Sequence, residues 1–293
     1  MQQFLPFLII AAVILVAYIT VQVFRYQIAR KGLRSPFTQK LERFPGQHLM
    51  KRLDELNEEI SIQAASLLAV PMGVYAVYLS YLYFGKRSFN RTEGIACGGI
   101  ALICMGYLLF KLFGFLHERR RIRLGCEGEM IVGQALNRLM LEGYRVYHDF
   151  PADNFNIDHI LVGAKGVFAV ETKTRSKRTT PNRQRDATVT YDGRALHFPG
   201  ATDIDMIAQA KRQSKWLADW LSRAVGEELT VRAVLALPGW FVKRTAANGI
   251  PVVNPKQFDS LFAHIPPRAL TPEMIVRITH QLDQKCQDIE PKT

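Results

Sequence analysis

Three apolar runs near the N-terminus set the hardest limit on what this chain can become. Residues 4–24, 64–84 and 95–116 are almost free of charge. Each is close to the ~20 residues that cross a bilayer core. Inside lipid every backbone polar group needs an internal partner, so runs of this kind fold as helices. The first is interrupted only by Pro6, Thr20 and Gln22, with no basic segment before it. It is long for the apolar part of a signal peptide and is expected to be retained. The second carries Pro71 and Gly73, which would kink it, and Tyr75, Tyr78, Tyr81 and Tyr83 toward its far end. The third holds Gly98, Gly99 and Gly106, with Lys111 near its end, where the amine can snorkel. Residues 1–116 are thus expected to form a membrane region of three spans.

Charge orients the spans. Arg25, Arg30, Lys31 and Arg34 follow the first run, and Arg119, Arg120, Arg121 and Arg123 follow the third. Basic residues favour the cytoplasmic side. The expectation is a multi-pass protein of a bacterial inner membrane, with the N-terminus outside and everything from His117 onward in the cytoplasm. The arginine cluster also fits nucleic-acid contact. Net charge is +12, which suits anionic partners, either nucleic acid or an anionic lipid surface. The four cysteines, Cys97, Cys104, Cys126 and Cys286, form no CxxC and no zinc-site or disulfide spacing. Residues 38–60 read as two short amphipathic helices broken at Pro45-Gly46.

The remainder reads as soluble: an α/β domain over 117–250 and a helical extension over 251–293. Its centre is the stretch N-I-D-H-I-L-V-G-A-K-G-V-F-A-V-E-T-K, residues 156–173. Two β-rich runs flank a short glycine-bounded connection, which signals a hairpin. If Val162 faces Val167, then His159 faces Val170 and Asp158 faces Glu171. Opposed residues share a face, and Lys173, two residues on, shares it too. Two carboxylates and an ammonium would meet at the open end. Opposed carboxylates repel. A hard divalent cation relieves that repulsion, and Mg²⁺ (or Mn²⁺) takes one or two carboxylates with water and phosphate oxygens. A lysine alongside can stabilise phosphate charge. The spacing fits metal-assisted phosphodiester hydrolysis with Asp158 and Glu171 as metal ligands. It also fits an ordinary surface hairpin.

Around the hairpin, residues 127–142 read as a helix closed by Gly143, where Glu127 and Glu129 would suit the helix dipole. Residues 144–149 read as a strand. The basic run Arg175, Lys177, Arg178, Arg183, Arg185 reads as a solvated loop, or as a phosphate-steering arm beside a phosphodiesterase site. Residues 188–191 and 195–198 form a second hairpin about Asp192-Gly193. Residues 203–224 read as a long helix whose basic side carries Lys211. Its Trp216 and Trp220 are read as core rather than stacking platforms. Residues 229–237 and 250–253 read as strands, and 256–264 and 272–286 as helices, the last capped by Thr271 with Pro272 in its first turn. His159 turns to the face opposite Asp158 and is read as structural or supporting.

Four motifs in order carry a resemblance: G-x-x-G-E at Gly125, Gly128 and Glu129; I-D-H at residues 157–159; G-V-F-A-V-E-T-K at 166–173; and Gln209-Ala210-Lys211. Together they resemble the nuclease-related domain (NERD), a branch of the PD-(D/E)XK nuclease superfamily. The resemblance implies a restriction-endonuclease-like mixed central sheet flanked by helices. It implies a divalent-metal-dependent nuclease acting on DNA or RNA. In that scheme Asp158 and Glu171 bind metal, Lys173 stabilises charge or orients water, Glu129 lies beside the metal and Gln209 lines the site. The alternative is an inactive nuclease fold that binds nucleic acid or a protein at the membrane. A transporter is disfavoured because the runs hold one ionisable residue, Lys111.

Overall fold

The computed structural model describes residues 42–86, 88, 90–177, 187–266 and 270–287, with helical positions 16, 19, 20, 22–24 and 26. The first expected span, residues 4–24, otherwise lies outside the described residues. The chain divides into two compact units, Met1–Gln39 with Gln63–Lys111, and Lys40–Ile62 with Leu112–Thr293.

Two long helices run through residues of both units: α1 (Gln47–Phe84) and α2 (Arg91–Asn137). Among the described residues these two are long and apolar enough to cross a membrane. Neither apolar stretch is buried as a core helix would be. Leu68, Met72, Val77, Ile103 and Phe110 are all more than two-thirds exposed. Within the first unit Gln63 Nε2 donates to Leu108 O at 3.0 Å and ties the two helices together. Both helices overrun their expected limits. α1 starts at Gln47, directly after Pro45 and Gly46 (φ +73°), and continues unbroken through residue 64 into the apolar run. α2 continues unbroken from the apolar run to Asn137, so the expected separate helix from 127 does not exist. No proline separates the pieces, and the intervening Arg, Glu and Leu residues favour helix. A 3₁₀ turn, Arg138–Glu142, closes α2 against Gly143 (φ +87°).

The second unit is an α/β body. Its strands are β1 (Arg145–Pro151), β2 (Asn156–Gly163), β3 (Gly166–Thr172), β4 (Thr188–Tyr191), β5 (Leu196–Phe198) and β6 (Ala201–Asp203). Helix α3 (Asp205–Val225) follows, then β7 (Val231–Ala236), β8 (Phe241–Arg244), β9 (Val252–Val253), α4 (Phe258–His264) and α5 (Pro272–Cys286). The main sheet has the order β1-β2-β3-β7-β9. β1, β2 and β3 pair antiparallel, whereas β3–β7 and β7–β9 are parallel. The sheet is therefore mixed, as expected.

Both faces of that sheet are covered, which is why β2 and β3 are buried almost throughout and their apolar residues do not alternate with exposed ones. Ile160, Val162, Val167 and Ala169 pack with Leu217 and Leu221 of α3 and Ile278 and Leu282 of α5. Leu161, Phe168 and Val170 pack with Val132 and Leu136 of α2 and Phe258 and Phe262 of α4. Trp216 and Trp220 are partly buried against the first cluster. α5 opens as expected, with Thr271 Oγ1 accepting from Met274 N at 3.2 Å.

A second sheet, β6-β5-β4-β8, packs through Val189, Tyr191, Leu196 and Phe198 against Leu235 and Trp240. The expected Asp192-Gly193 turn joins β4 to β5, with Asp192 Oδ1 accepting from the N–H groups of Arg194 and Ala195 at 2.8 and 2.7 Å. β6 and β8 were not expected. Both are short, and β8 gains its partner only through parallel pairing with β4, far away in sequence.

Candidate active site

The β2–β3 hairpin has the register its sequence predicts: Val162 faces Val167, Leu161 faces Phe168, Ile160 faces Ala169 and His159 faces Val170. The regular ladder stops there. At the next position the Thr172 N–H donates to Asp158 Oδ2 at 2.7 Å. The Lys173 N–H donates to Ala236 O at 3.0 Å and extends the β3–β7 pairing past the strand end. The open end of the hairpin is thus held on both sides. Lys173 Nζ lies 2.7 Å from Glu171 Oε1.

The carboxylates are deeply placed. Glu171 is 1% exposed, Glu129 6% and Asp158 7%. Glu171 Oε2 and Glu129 Oε2 are buried without a hydrogen-bond partner among the described residues. Burial pushes the Asp158 carboxyl well above the usual range, and the neighbouring charges of Glu171 and Glu129 add to it. The Thr172 N–H and Lys173 oppose the shift. Glu129 is raised to about 7, chiefly by burial. His48 and Lys173 pull it down, while Asp149 and Glu171 push it up. Three acids lie within electrostatic reach of one another and a lysine pairs with one of them, so burial and mutual repulsion favour the protonated forms of Asp158 and Glu129.

Glu129 reaches this end of the sheet from α2. Its position deep inside a long helix removes the helix-dipole account, because no helix begins near residue 127. The two glycines of the G-x-x-G-E motif explain the close approach. A Cβ at Gly128 would lie 2.0 Å from Thr174 Cγ2, the residue after Lys173. A Cβ at Gly125 would lie 3.2 Å from Leu49 Cδ1. A side chain at Gly128 would force either Thr174 or the helix to shift.

Gln209 is half-buried on α3, and Lys211 is exposed on the same helix. One turn beyond Gln209, Gln213 is 4% exposed and its Nε2 donates to Asn156 O at 3.4 Å. Its Oε1 is buried and unpartnered. The sequence reading missed Gln213, although the four-residue spacing from Gln209 puts both on one helix face. Arg175 stacks over the Phe198 ring at 4.7 Å and Lys177 over the Trp240 ring at 5.6 Å. Trp240 Nε1 also donates to Arg175 O at 3.2 Å. The start of the basic run is therefore braced on the second sheet. Arg178, Arg183 and Arg185 lie outside the described residues.

Two buried histidines back the site. His148 Nδ1 and His159 Nδ1 are 2.9 Å apart, and His159 Nε2 lies 3.2 Å from Thr172 Oγ1. His148 Nε2 lies 3.0 Å from Asn137 Oδ1 of α2. Burial lowers His148 to about 4, and burial together with His148 lowers His159 well below its usual value. Both rings are neutral at pH 7. His159 has the supporting place expected for it, behind Thr172.

Residues 124–238 match the family model described as the nuclease-related domain. The chain carries a nuclease-related domain. Comparison with solved structures finds a similarity to SfsA of Pyrococcus furiosus in complex with Ca²⁺, at 18% identity and a TM-score of 0.20. It covers 56% of this chain and about half of that one, 54%. A superposition that slight carries no argument about fold or site. No curated protein matches the chain. The match to the nuclease-related domain spans Glu129, Asp158, Glu171, Lys173, Gln209 and Gln213, and excludes the segment before residue 124.

The donor set suits a hard cation. Among the described residues no group of three or more His, Cys, Asp and Glu side chains is gathered to enclose a metal by itself. A cation here would rest on Asp158 and Glu171, with water and substrate oxygens completing the shell, which is the ligand balance Mg²⁺ favours. The unpartnered Glu171 Oε2 and the raised Asp158 carboxyl both fit that arrangement.

Proposed function

We propose that this chain is a membrane-anchored, divalent-metal-dependent nuclease that hydrolyses phosphodiester bonds of cytosolic DNA or RNA. One observation carries the reading. The hairpin end of a nuclease-related domain gathers Asp158, Glu171 and Lys173, with one buried oxygen of Glu171 and one of Glu129 that no donor among the described residues satisfies. Such an arrangement destabilises the fold and is unexplained by packing.

Asp158 and Glu171 would hold Mg²⁺ or Mn²⁺, which would offset their repulsion and polarise a phosphate oxygen. Lys173 places its ammonium beside Glu171, where it stabilises charge developing on the phosphate. Glu129, with its pKa raised to about 7, is suited to take a proton from the attacking water. Gln209 and Gln213 position the substrate from α3. Arg175, Lys177, Arg178, Arg183, Arg185 and Lys211 supply sequence-independent phosphate attraction, which weakens with salt.

The anchor rests on α1 and α2, whose apolar stretches are exposed rather than buried. An exposed apolar surface of that extent calls for lipid. With the first apolar run as a third span, the basic residues after the first and third runs favour the N-terminus outside and the nuclease-related domain in the cytoplasm.

The test is cleavage of labelled single- and double-stranded DNA and RNA by the full chain in detergent. The expected result is cleavage with Mg²⁺ or Mn²⁺, its loss in EDTA, and its loss in Asp158→Ala and Lys173→Ala. Equal cleavage by those variants overturns the site. Salt-sensitive binding without cleavage supports the inactive binding module instead.

A further inference from the structure

The entry and first turn of α1 lie against the face of α2 that carries Glu129. Across α2, positions 125, 129 and 133 are four residues apart and share one face. A Cβ at Gly133 would lie 2.3 Å from Pro45 Cγ, and one at Gly125 would lie 3.2 Å from Leu49 Cδ1. Residues 45–49 therefore cross this face with Pro45 over one glycine and Leu49 over the other. His48 lies on that crossing segment, and Glu129 lies on the face between the two glycines.

His48 is held in one orientation. Its backbone N–H donates to Asp149 Oδ2 at 3.0 Å, and its Nδ1 lies 2.5 Å from Asp149 Oδ1. Asp149 is 0% exposed and sits at φ +49°, a conformation that aspartate tolerates better than most side chains. Asn156 Nδ2 donates to the same carboxylate at 2.8 Å, and Arg43 Nη1 donates to Asp149 O at 3.1 Å. The opposite ring nitrogen, Nε2, has no hydrogen-bond partner among the described residues, and the side chain is 37% exposed. A buried carboxylate behind one imidazole nitrogen, with the other nitrogen open to solvent, is how a proton-transferring histidine is oriented.

We infer that His48, oriented by Asp149, is a proton donor to the leaving oxygen of the bound phosphodiester, supplied from outside the nuclease-related domain. The inference rests on the nuclease reading above. In the step, the water oxygen forms a bond to phosphorus and the ester P–O bond breaks. The departing oxygen keeps the electron pair and takes the proton from His48 Nε2. Glu129 receives the proton of the water, and exchange with solvent returns His48 to its acid form.

The charges around the ring support the acid form. Burial opposes it, but the hydrogen bond and charge of Asp149, with Glu129 adding, outweigh burial and the repulsion of Arg43, and hold the imidazole above its usual value.

The test uses the full chain in detergent with Mn²⁺ and two substrates: an oligonucleotide, and thymidine p-nitrophenyl phosphodiesters of both the 3′ and 5′ series. Nitrophenolate leaves without a proton; an alkoxide does not. His48→Asn keeps a donor toward Asp149 and loses Nε2. It is expected to slow oligonucleotide cleavage by about 100-fold or more. KM and the melting temperature should stay near those of the parent. On the nitrophenyl esters it should lose less than about fivefold, because the step no longer needs an acid. The fall of kcat at alkaline pH should disappear in His48→Asn and move to lower pH in Asp149→Asn. Equal losses on both substrates, or an unchanged alkaline limb, overturn the assignment of His48 and leave the nuclease reading standing. A parent chain that cleaves neither substrate with any divalent cation overturns both.

Discussion

Thr172 and Asp158 are joined across the open end of the hairpin, backbone N–H to carboxylate, at 2.7 Å. That bond fixes one oxygen of a buried acid whose ionisation is opposed by burial and by the charges of Glu171 and Glu129. The fold keeps this acid buried at a cost, as functional sites commonly do. Asp158→Asn keeps an oxygen for the Thr172 N–H and removes the repulsion. The expected outcome is a melting temperature raised by about 2–4 °C, about 1 kcal/mol, with cleavage lost. Differential scanning fluorimetry and a nuclease assay check it; a variant that is both less stable and fully active contradicts it.

Gly128 carries the contact that lets α2 touch the strand end. A Cβ there would sit 2.0 Å from Thr174 Cγ2. Gly128→Ala should destabilise the fold by about 1–3 kcal/mol and draw Glu129 away from Glu171. Gly143→Ala is the control of opposite kind: nothing lies within 4 Å of its Cβ, and only its positive φ of +87° is strained. Cleavage should fall much further in Gly128→Ala than in Gly143→Ala at matched stability.

Glu129 makes stability depend on pH with an unusual sign. Its folded pKa is raised, from 4.5 to about 7. The folded state therefore binds the proton more tightly than the unfolded state. The stabilisation is fully present below pH 4.5 and is lost as pH rises through about 7. At about 1.4 kcal/mol per pH unit the loss is up to about 3 kcal/mol. The melting temperature should fall between pH 5 and pH 8, Glu129→Gln should flatten that fall, and Mg²⁺ should restore more stability at pH 8 than at pH 5. A flat parent profile would show that Glu129 ionises freely.

Much of the hairpin was legible because its information is local. A period-two register and a glycine-bounded turn determine which residues face each other, so Val162–Val167 through His159–Val170 could be read directly. The sequence around residues 60–64 and 117–127 carries no breaker, and its charge run reads as a boundary although the helix continues through it. β8 and the place of His48 depend on contacts between residues far apart in sequence, which no periodicity encodes. Asp149 gave one faint signal, a short polar residue inside a strand. Its positive φ is visible only in three dimensions.

His148 makes stability depend on pH in the opposite direction. Burial depresses it to about 4 from 6.5, so the folded state prefers the neutral ring. Its contribution is complete above pH 6.5 and is lost as pH falls toward 4, at about 1.4 kcal/mol per unit and about 3 kcal/mol in all. Chemical unfolding between pH 4 and pH 7 should show this loss in the parent and a smaller one in His148→Gln. Equal slopes would assign the acid sensitivity elsewhere.

Gln213 separates a site role from a packing role. Its one hydrogen bond, to Asn156 O, is long at 3.4 Å, and Oε1 has no partner. A buried amide so poorly satisfied stabilises little, and an apolar side chain of similar size can replace it without loss. If Gln213 serves packing alone, Gln213→Leu should leave both the melting temperature and cleavage unchanged. If Oε1 is kept open for a water or substrate group beside Asn156, the melting temperature should hold within about 2 °C or rise, while cleavage falls about tenfold or more. The second outcome is expected, because nothing in the core accounts for an amide there. Gln209→Ala, measured alongside, shows whether the preceding, half-buried turn of α3 shares the role.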